Sequence, residues 1–477
     1  MLLQLLLPGL IVAYIVYQRF LHPLAKYPGP LLAGLSPLWK LWHFVRVGPN
    51  HLDVTHPDAV KDIFLTGKSF VKSSFYDAFT ALRPNIFGTR DEDIHHARKK
   101  ALSNGFSLQS VTQMEGYIDG CLTKLIARLD KAAETNEVVD LKNWLSFFVI
   151  DVLGELAFSK SFNMLEKGQQ EALPPLREHV YLAMLTGQLP SLLPYFGKYL
   201  PKLPIPSLQS VIKGRMRLRN LAISCVSQRL ANPDPSRRDL LAKLISEHTT
   251  GTLEELDIQT EAFGFIIAGS HTTATTLTFL FHLLLHHPST LAALEADLLA
   301  PTSPIANLAS SPSPASAVVP YAQTLPHKYL SSVITETFRF APVFTMPLMR
   351  VVPFPSAIVA GERLPGGIDV SVCNAVLHHD PAVFGEDAGT FKPERWLDGG
   401  YTAAHKEQLL GFGAGHRACI GRNLAMVEIG KVVGGLVGRY KFSLAGGGVE
   451  GGEGRVPTES FGISDLRGRL EVRVERR

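Results

Sequence analysis

Phe412-Gly-Ala-Gly-His-Arg-Ala-Cys419-Ile-Gly421 is the stretch on which the fold turns. It fits the spacing F-x-x-G-x-R-x-C-x-G. With each residue type at a few per cent of ordinary usage, a chance match in a chain of this length has odds on the order of 10⁻⁴. Cys419 lies just before a helical run, Arg422 to Val437, where helix-start amides favour a thiolate. A thiolate so placed is a good soft ligand for iron. Gly415 and Gly421 let the backbone lie flat against a large planar cofactor, Phe412 shields the sulfur, and Arg417 pairs with an anionic edge group. A buried structural cysteine in a glycine-rich turn would explain the thiol but none of the Phe, Arg and Gly spacing.

Upstream, the helical run Phe263 to Leu285 carries Ala268-Gly-Ser-His-Thr272-Thr273. Gly269 lets such a helix pass close over a cofactor, and Thr272 can bond to a backbone carbonyl one turn back. Taken alone, these threonines read equally well as satisfied groups in a buried helix. Glu336-Thr-Phe-Arg339 puts opposite charges on one helix face. Such pairs are usually solvated, and only the later Phe391-Lys-Pro-Glu-Arg395-Trp396 gives this one weight.

In this order the segments resemble the cytochrome P450 family of heme-thiolate monooxygenases, most closely its membrane-bound fungal members. The resemblance covers about Tyr27 to the C-terminus, with the chain shorter than the family norm between Pro30 and Val47. It implies a mainly α fold with small β-sheets, preceded by an N-terminal transmembrane helix. It also implies heme with Cys419 as axial iron ligand, whose thiolate favours O–O cleavage. Glu336, Arg339 and Arg395 would form a structural network behind the cysteine loop. Ala268, Gly269 and Thr272 would belong to the oxygen-binding helix. The residue before that threonine, commonly Asp or Glu in the family, is His271. A histidine also moves protons near neutral pH, so it is expected to serve in the carboxylate's place.

Four cations match family positions for the heme propionates: Arg98, Arg350, His378 and Arg417. Arg98 ends a segment resembling W-x-x-x-R in which Ile94 replaces the tryptophan; each of the four singly reads as a surface charge. Apolar stretches at Phe75 to Phe87, around Phe263 to Ala268 and at Val343 to Met346, with Phe461, suggest a hydrophobic small-molecule substrate, though most serve equally well as core. No nicotinamide or flavin fingerprint is present. Electrons are therefore expected from NADPH-cytochrome P450 reductase. The expected activity is insertion of one oxygen atom from O2 in specialised metabolism. Rival readings are a heme-thiolate isomerase or dehydratase that needs no O2, and a catalytically silent heme-binding membrane protein. Dependence on O2 and NADPH separates them.

The remaining composition agrees with a large enzyme. The 477 residues carry 47 Lys+Arg against 43 Asp+Glu, a net charge of +4, too small for a nucleic-acid binder of this size. Hydrophobic residues make up 46%, enough for a substantial core. Four scattered cysteines without a CxxC pair exclude a disulfide scaffold. Met1 to Tyr17 hold no charged side chain, and residues 1–21 are expected to anchor the chain in the endoplasmic reticulum membrane. No charged segment precedes this run and no small-x-small site follows, which favours an anchor over a cleaved signal peptide. Residues 22–36 would be a proline-rich hinge and 37–477 a catalytic domain on the cytosolic side, with a flexible Pro/Ser-rich insertion at 300–319.

Overall fold

The computed structural model describes residues 10, 12–22, 24–25, 48–65, 67, 70–169, 175–308, 310–446 and 456–477. Its helices of ten residues or more are α1 (Glu92–Ser103), α2 (Glu115–Thr135), α3 (Leu141–Phe158), α4 (Leu176–Thr186), α5 (Pro206–Ala231), α6 (Leu240–Thr249), α7 (Glu255–His286), α8 (Pro288–Leu298), α9 (Lys328–Phe340) and α10 (Arg422–Arg439). The strands are β1 (His51–Asp53), β2 (Val139–Asp140), β3 (Arg350–Val351), β4 (Ser356–Val359), β5 (Glu362–Pro365), β6 (Asp369–Ser371), β7 (Tyr440–Leu444), β8 (Thr458–Ser460), β9 (Ser464–Leu466) and β10 (Glu471–Arg476). The mainly helical fold with small sheets agrees with the sequence.

The longest helix, α7, starts at a capping box in which the Glu254 and Asp257 side chains satisfy each other's backbone amides. From Thr273 to Leu284 every residue of it is buried, so it is the axis of the core and not a surface amphipath. Apolar α3, buried on nearly all faces, packs along it. Helix α10 runs through the same core with Gly430, Gly434 and Gly438 turned toward the segment before α9. A Cβ on Gly438 would lie 2.5 Å from Ile305.

Two three-stranded sheets flank this core. In one, β6 pairs parallel with β1 and antiparallel with β3, in register His51 with Asp369 and Arg350 with Val370. In the other, β10 lies antiparallel between β2 and β7. Hairpins β4–β5 and β8–β9 complete the set. The first sheet has its own apolar cluster with Ile63 and Phe64, which sets Arg350 beside the cysteine loop.

Within residues 300–319, Ile305, Ala317 and Val319 are buried, and Arg439 donates to the carbonyls of Leu308 and Ser311. Among the described residues no single helix is long and apolar enough to cross a membrane. In the expected anchor, residues 12–16 are helical and Tyr17–Leu21 form a π-turn, while residues 1–9 and 11 lie outside the described residues. The expected hinge, apart from residues 22, 24 and 25, and the short segment from Pro30 to Val47 lie outside them as well.

Candidate active site

Phe412 to Gly421 curl against the start of α10. The Cys419 amide donates to the Phe412 carbonyl at 2.8 Å, closing the loop. Cys419 opens onto a cavity of about 290 Å³ deep in the protein. Burial pushes its thiol up, while the amides of Gly421 and Arg422 and the charges of Lys99 and Arg422 pull it back toward thiolate. The opposite wall is α7, through Ile267, Ala268, Gly269 and Thr272. Thr272 Oγ1 donates to the Ala268 carbonyl at 2.7 Å, the bond expected from the sequence.

One end of the cavity is strongly cationic, lined by Lys72, Lys99, Arg350 and Arg417. Arg350 is 4% exposed, and its hydrogen bonds run to the carbonyls of Leu348 and Met349. Arg417 donates to Glu92 at 2.7 Å and to the Thr89 carbonyl at 2.9 Å. Lys99 and Lys72 each donate to a carbonyl, of His416 and Phe87, both at 2.5 Å. Burial, Arg350 and Arg417 hold the Lys72 ammonium well below its usual range. Four basic side chains thus gather here with one carboxylate, Glu92, paired to Arg417, and an anion entering here would favour their charged forms. A planar cofactor with acidic edge groups and an iron for Cys419 fits this end of the cavity.

Residues 40–451 match the family description Cytochrome P450. The chain belongs to the cytochrome P450 family. It is 31% identical to the cytochrome P450 monooxygenase cicH of Emericella nidulans, over 92% of this chain and 92% of that one. It is 28% identical to benzoate 4-monooxygenase bphA of Aspergillus niger, over 91% of each, and 28% identical to pisatin demethylase of Fusarium vanettenii, over 90% of this chain and 88% of that one. This P450 is a heme-thiolate monooxygenase whose cofactor is heme with an axial cysteine thiolate.

Behind the cysteine loop lies a fully satisfied ionic knot. Glu336 receives Arg339 at 2.7 and 2.9 Å, Arg395 at 3.0 Å, the Trp396 indole at 2.8 Å and the Lys392 amide at 2.9 Å. Arg339 also donates to the carbonyls of His378, Ala388 and Thr390. His378 differs from its expected place, for it does not line the cavity. Its carbonyl takes Arg339 and its Nε2 accepts the Leu410 amide at 3.0 Å, so it ties the knot to the chain two residues before the loop. Burial drives its pKa down to about 3, so the ring is neutral and supplies no cation for a propionate.

Arg98 is displaced in the same sense. It turns to α7, donating to Glu261 and Asp257 at 2.7 Å each, while His95 and Lys99, one turn apart, line the cavity from α1. The face of α1 turned inward is therefore that of the next residue along. Lys72, which the sequence reading missed, comes from the segment before the first aromatic cluster, where a lone lysine carries no periodic signal.

Gly415 does not touch the cavity either. At φ +66° a Cβ there would overlap the Phe64 carbonyl, so glycine is required by chain packing. A Cβ on Gly269 would point to Leu153 of α3, 3.0 Å away, so this glycine serves helix packing at the cavity wall. Gly421 and Phe412 do line the cavity, and the Phe412 ring packs 4.8 Å from Phe338 of α9. His271 lies outside the lining, its Nε2 3.7 Å from Asp465 Oδ2 on β9. Among the expected substrate contacts, Phe79, Ile86, Phe87, Val343, Phe344 and Met346 line the cavity. Phe263 instead packs on His179 and Phe461 on Tyr181, and the hairpin contributes Ile463 in place of Phe461.

Proposed function

We propose that this P450 inserts one oxygen atom from O2 into a hydrophobic small molecule of specialised metabolism, with electrons from NADPH-cytochrome P450 reductase, at the endoplasmic reticulum membrane. The observation that carries the substrate class is the split character of the cavity: cations gather at one end, while Phe79, Ile86, Phe87, Ile267, Val343 and Met346 give the rest an apolar lining. An apolar compound gains from burial in that part, at roughly 25 cal/mol per Å² of apolar surface. The names of two relatives point to small molecules, benzoate and pisatin. The apolar run near the N-terminus supports membrane association.

Heme held by Cys419 supplies the activation of O2 when bound. The chain's own residues do the rest. Lys72, Lys99, Arg350 and Arg417 would hold the acidic edge groups of that cofactor, with Arg417 kept in place by Glu92. The aromatic and aliphatic lining excludes water and orients the substrate. Thr272, with its hydroxyl directed to Ala268, organises oxygen and protons above the cysteine loop. His271, next to Thr272, stands outside the cavity lining near Asp465, so any part it takes in proton movement runs from behind α7.

The test is reconstitution in membranes with the reductase and a panel of aromatic and terpenoid compounds. Oxygenated product that requires both O2 and NADPH is expected, as is a larger share of reducing equivalents lost to peroxide with Thr272→Ala. Turnover without O2 or NADPH would overturn the proposal.

A further inference from the structure

Helix α10 brings one more acid to this cavity. Among the described lining residues only Glu261 and Glu428 carry carboxyl groups. Their surroundings differ. Glu261 is fully engaged, accepting Arg98 at 2.7 Å and the Ile86 amide at 3.0 Å. Glu428 is 4% exposed, and its Oε2 is sealed from solvent without a hydrogen-bond partner. It stands two turns beyond the cysteine loop, on the same cavity wall as Leu424, Ala425 and Ile429. Thr272, Thr273 and Thr276 of α7 line the same cavity. A buried carboxyl with no protein partner is costly unless it is neutral and bonded to something held in the cavity.

We propose that Glu428 is the proton-holding group of this P450's oxygen chemistry, donating through cavity water toward the Thr272 face of α7. The inference rests on the heme-thiolate reading and adds a residue to it. Monooxygenation follows RH + O2 + NADPH + H⁺ → ROH + H2O + NADP⁺, so a proton must reach the oxygen atom that leaves as water. The O–H bond of Glu428 breaks, its proton passes to a cavity water, and that water gives one of its own protons onward. The carboxylate is then reprotonated by cavity water that exchanges with bulk, and both electrons come from NADPH through the donor protein. His271, the residue beside Thr272, lies outside the cavity lining with its ring near Asp465. Burial raises the Glu428 carboxyl to about 8, so it keeps its proton at neutral pH. The titratable group that faces it from α2 is the Cys121 thiol, which burial pushes up and keeps neutral.

Infrared difference spectroscopy on photolysis of the reduced carbon monoxide complex tests this directly. The wild type is expected to show a protonated carboxylic C=O band that shifts on photolysis and again in D2O; Glu428→Gln removes it. Absence of such a band in the wild type, or its survival in Glu428→Gln, would overturn the proposal. In the reductase-reconstituted system, Glu428→Gln is expected to raise the peroxide share of consumed O2 several-fold, with Glu428→Asp restoring part of the loss. An unchanged peroxide share would contradict it. If Glu428→Gln does not fold, Glu428→Asp decides: the band is expected to move in frequency there, and an unmoved band would overturn the proposal. A normal carbon monoxide Soret band in Glu428→Gln separates failure of this inference from failure of heme binding.

Discussion

Two buried acids in this P450 meet opposite fates. Every oxygen lone pair of Glu336 is taken by Arg339, Arg395, Trp396 or a backbone amide, in a site that exposes none of its surface. Glu428, nearly as deep, has no protein partner. A satisfied ionic knot holds a scaffold still and has no capacity left for ligands. An unsatisfied acid in a cavity whose other end gathers basic side chains marks a space organised around groups that come from outside the chain. The contrast separates architecture from chemistry without reference to motifs.

The comparison is broken most severely by Glu336→Ala. That change leaves Arg339 and Arg395 buried without their carboxylate and should cost about 3–5 kcal/mol, measured by chemical denaturation, with loss of correctly folded protein. A smaller effect of opposite sign is expected at Glu428. Its folded pKa of about 8 lies above the unfolded value, so the native state holds an extra proton and stability falls as pH rises from about 4.5 to about 8. Glu428→Gln should remove that slope and gain on the order of 3 kcal/mol at pH 8, read from melting curves at pH 6 and 8.

Asp465 is an intermediate case. Lys142 at 3.0 Å and His271 hold its carboxyl down to about 2, a stabilisation present above the unfolded value near 4 and lost as pH falls through about 2. Asp465→Asn should cost about 2 kcal/mol at pH 7, with the difference fading in acid. The exposed pair Lys328–Asp398 sharpens the scale from below: Lys328→Ala should leave denaturation unchanged within error despite a 2.6 Å contact.

The sequence made legible what depends on local spacing. The cysteine loop, the Glu336–Arg339 pair and Thr272 with its carbonyl bond are all set within a few residues, and the fold class follows from them; Arg395 reaches Glu336 across 59 residues and was legible only through its own local motif. What it could not show depends on how helices rotate and on what chains pass close by. On α1 a shift of one residue turns the side chain by about 100°, so a run of three basic residues leaves open which one faces inward; Lys99 does and Arg98 does not. Gly415 looked like a cofactor contact because nothing local reveals the Phe64 carbonyl lying against it. His378 looked like a cation because its pairing with Leu410 spans 32 residues. Glu428 carried no motif at all, and its meaning comes only from the partner it lacks.

The central claim is that this cavity holds a thiolate-ligated heme, and the carbon monoxide difference spectrum of the dithionite-reduced protein tests it most directly. The account predicts a strongly red-shifted Soret band that disappears in Cys419→Ala. Heme-loaded protein without that band, or a band that persists in Cys419→Ala, would contradict it.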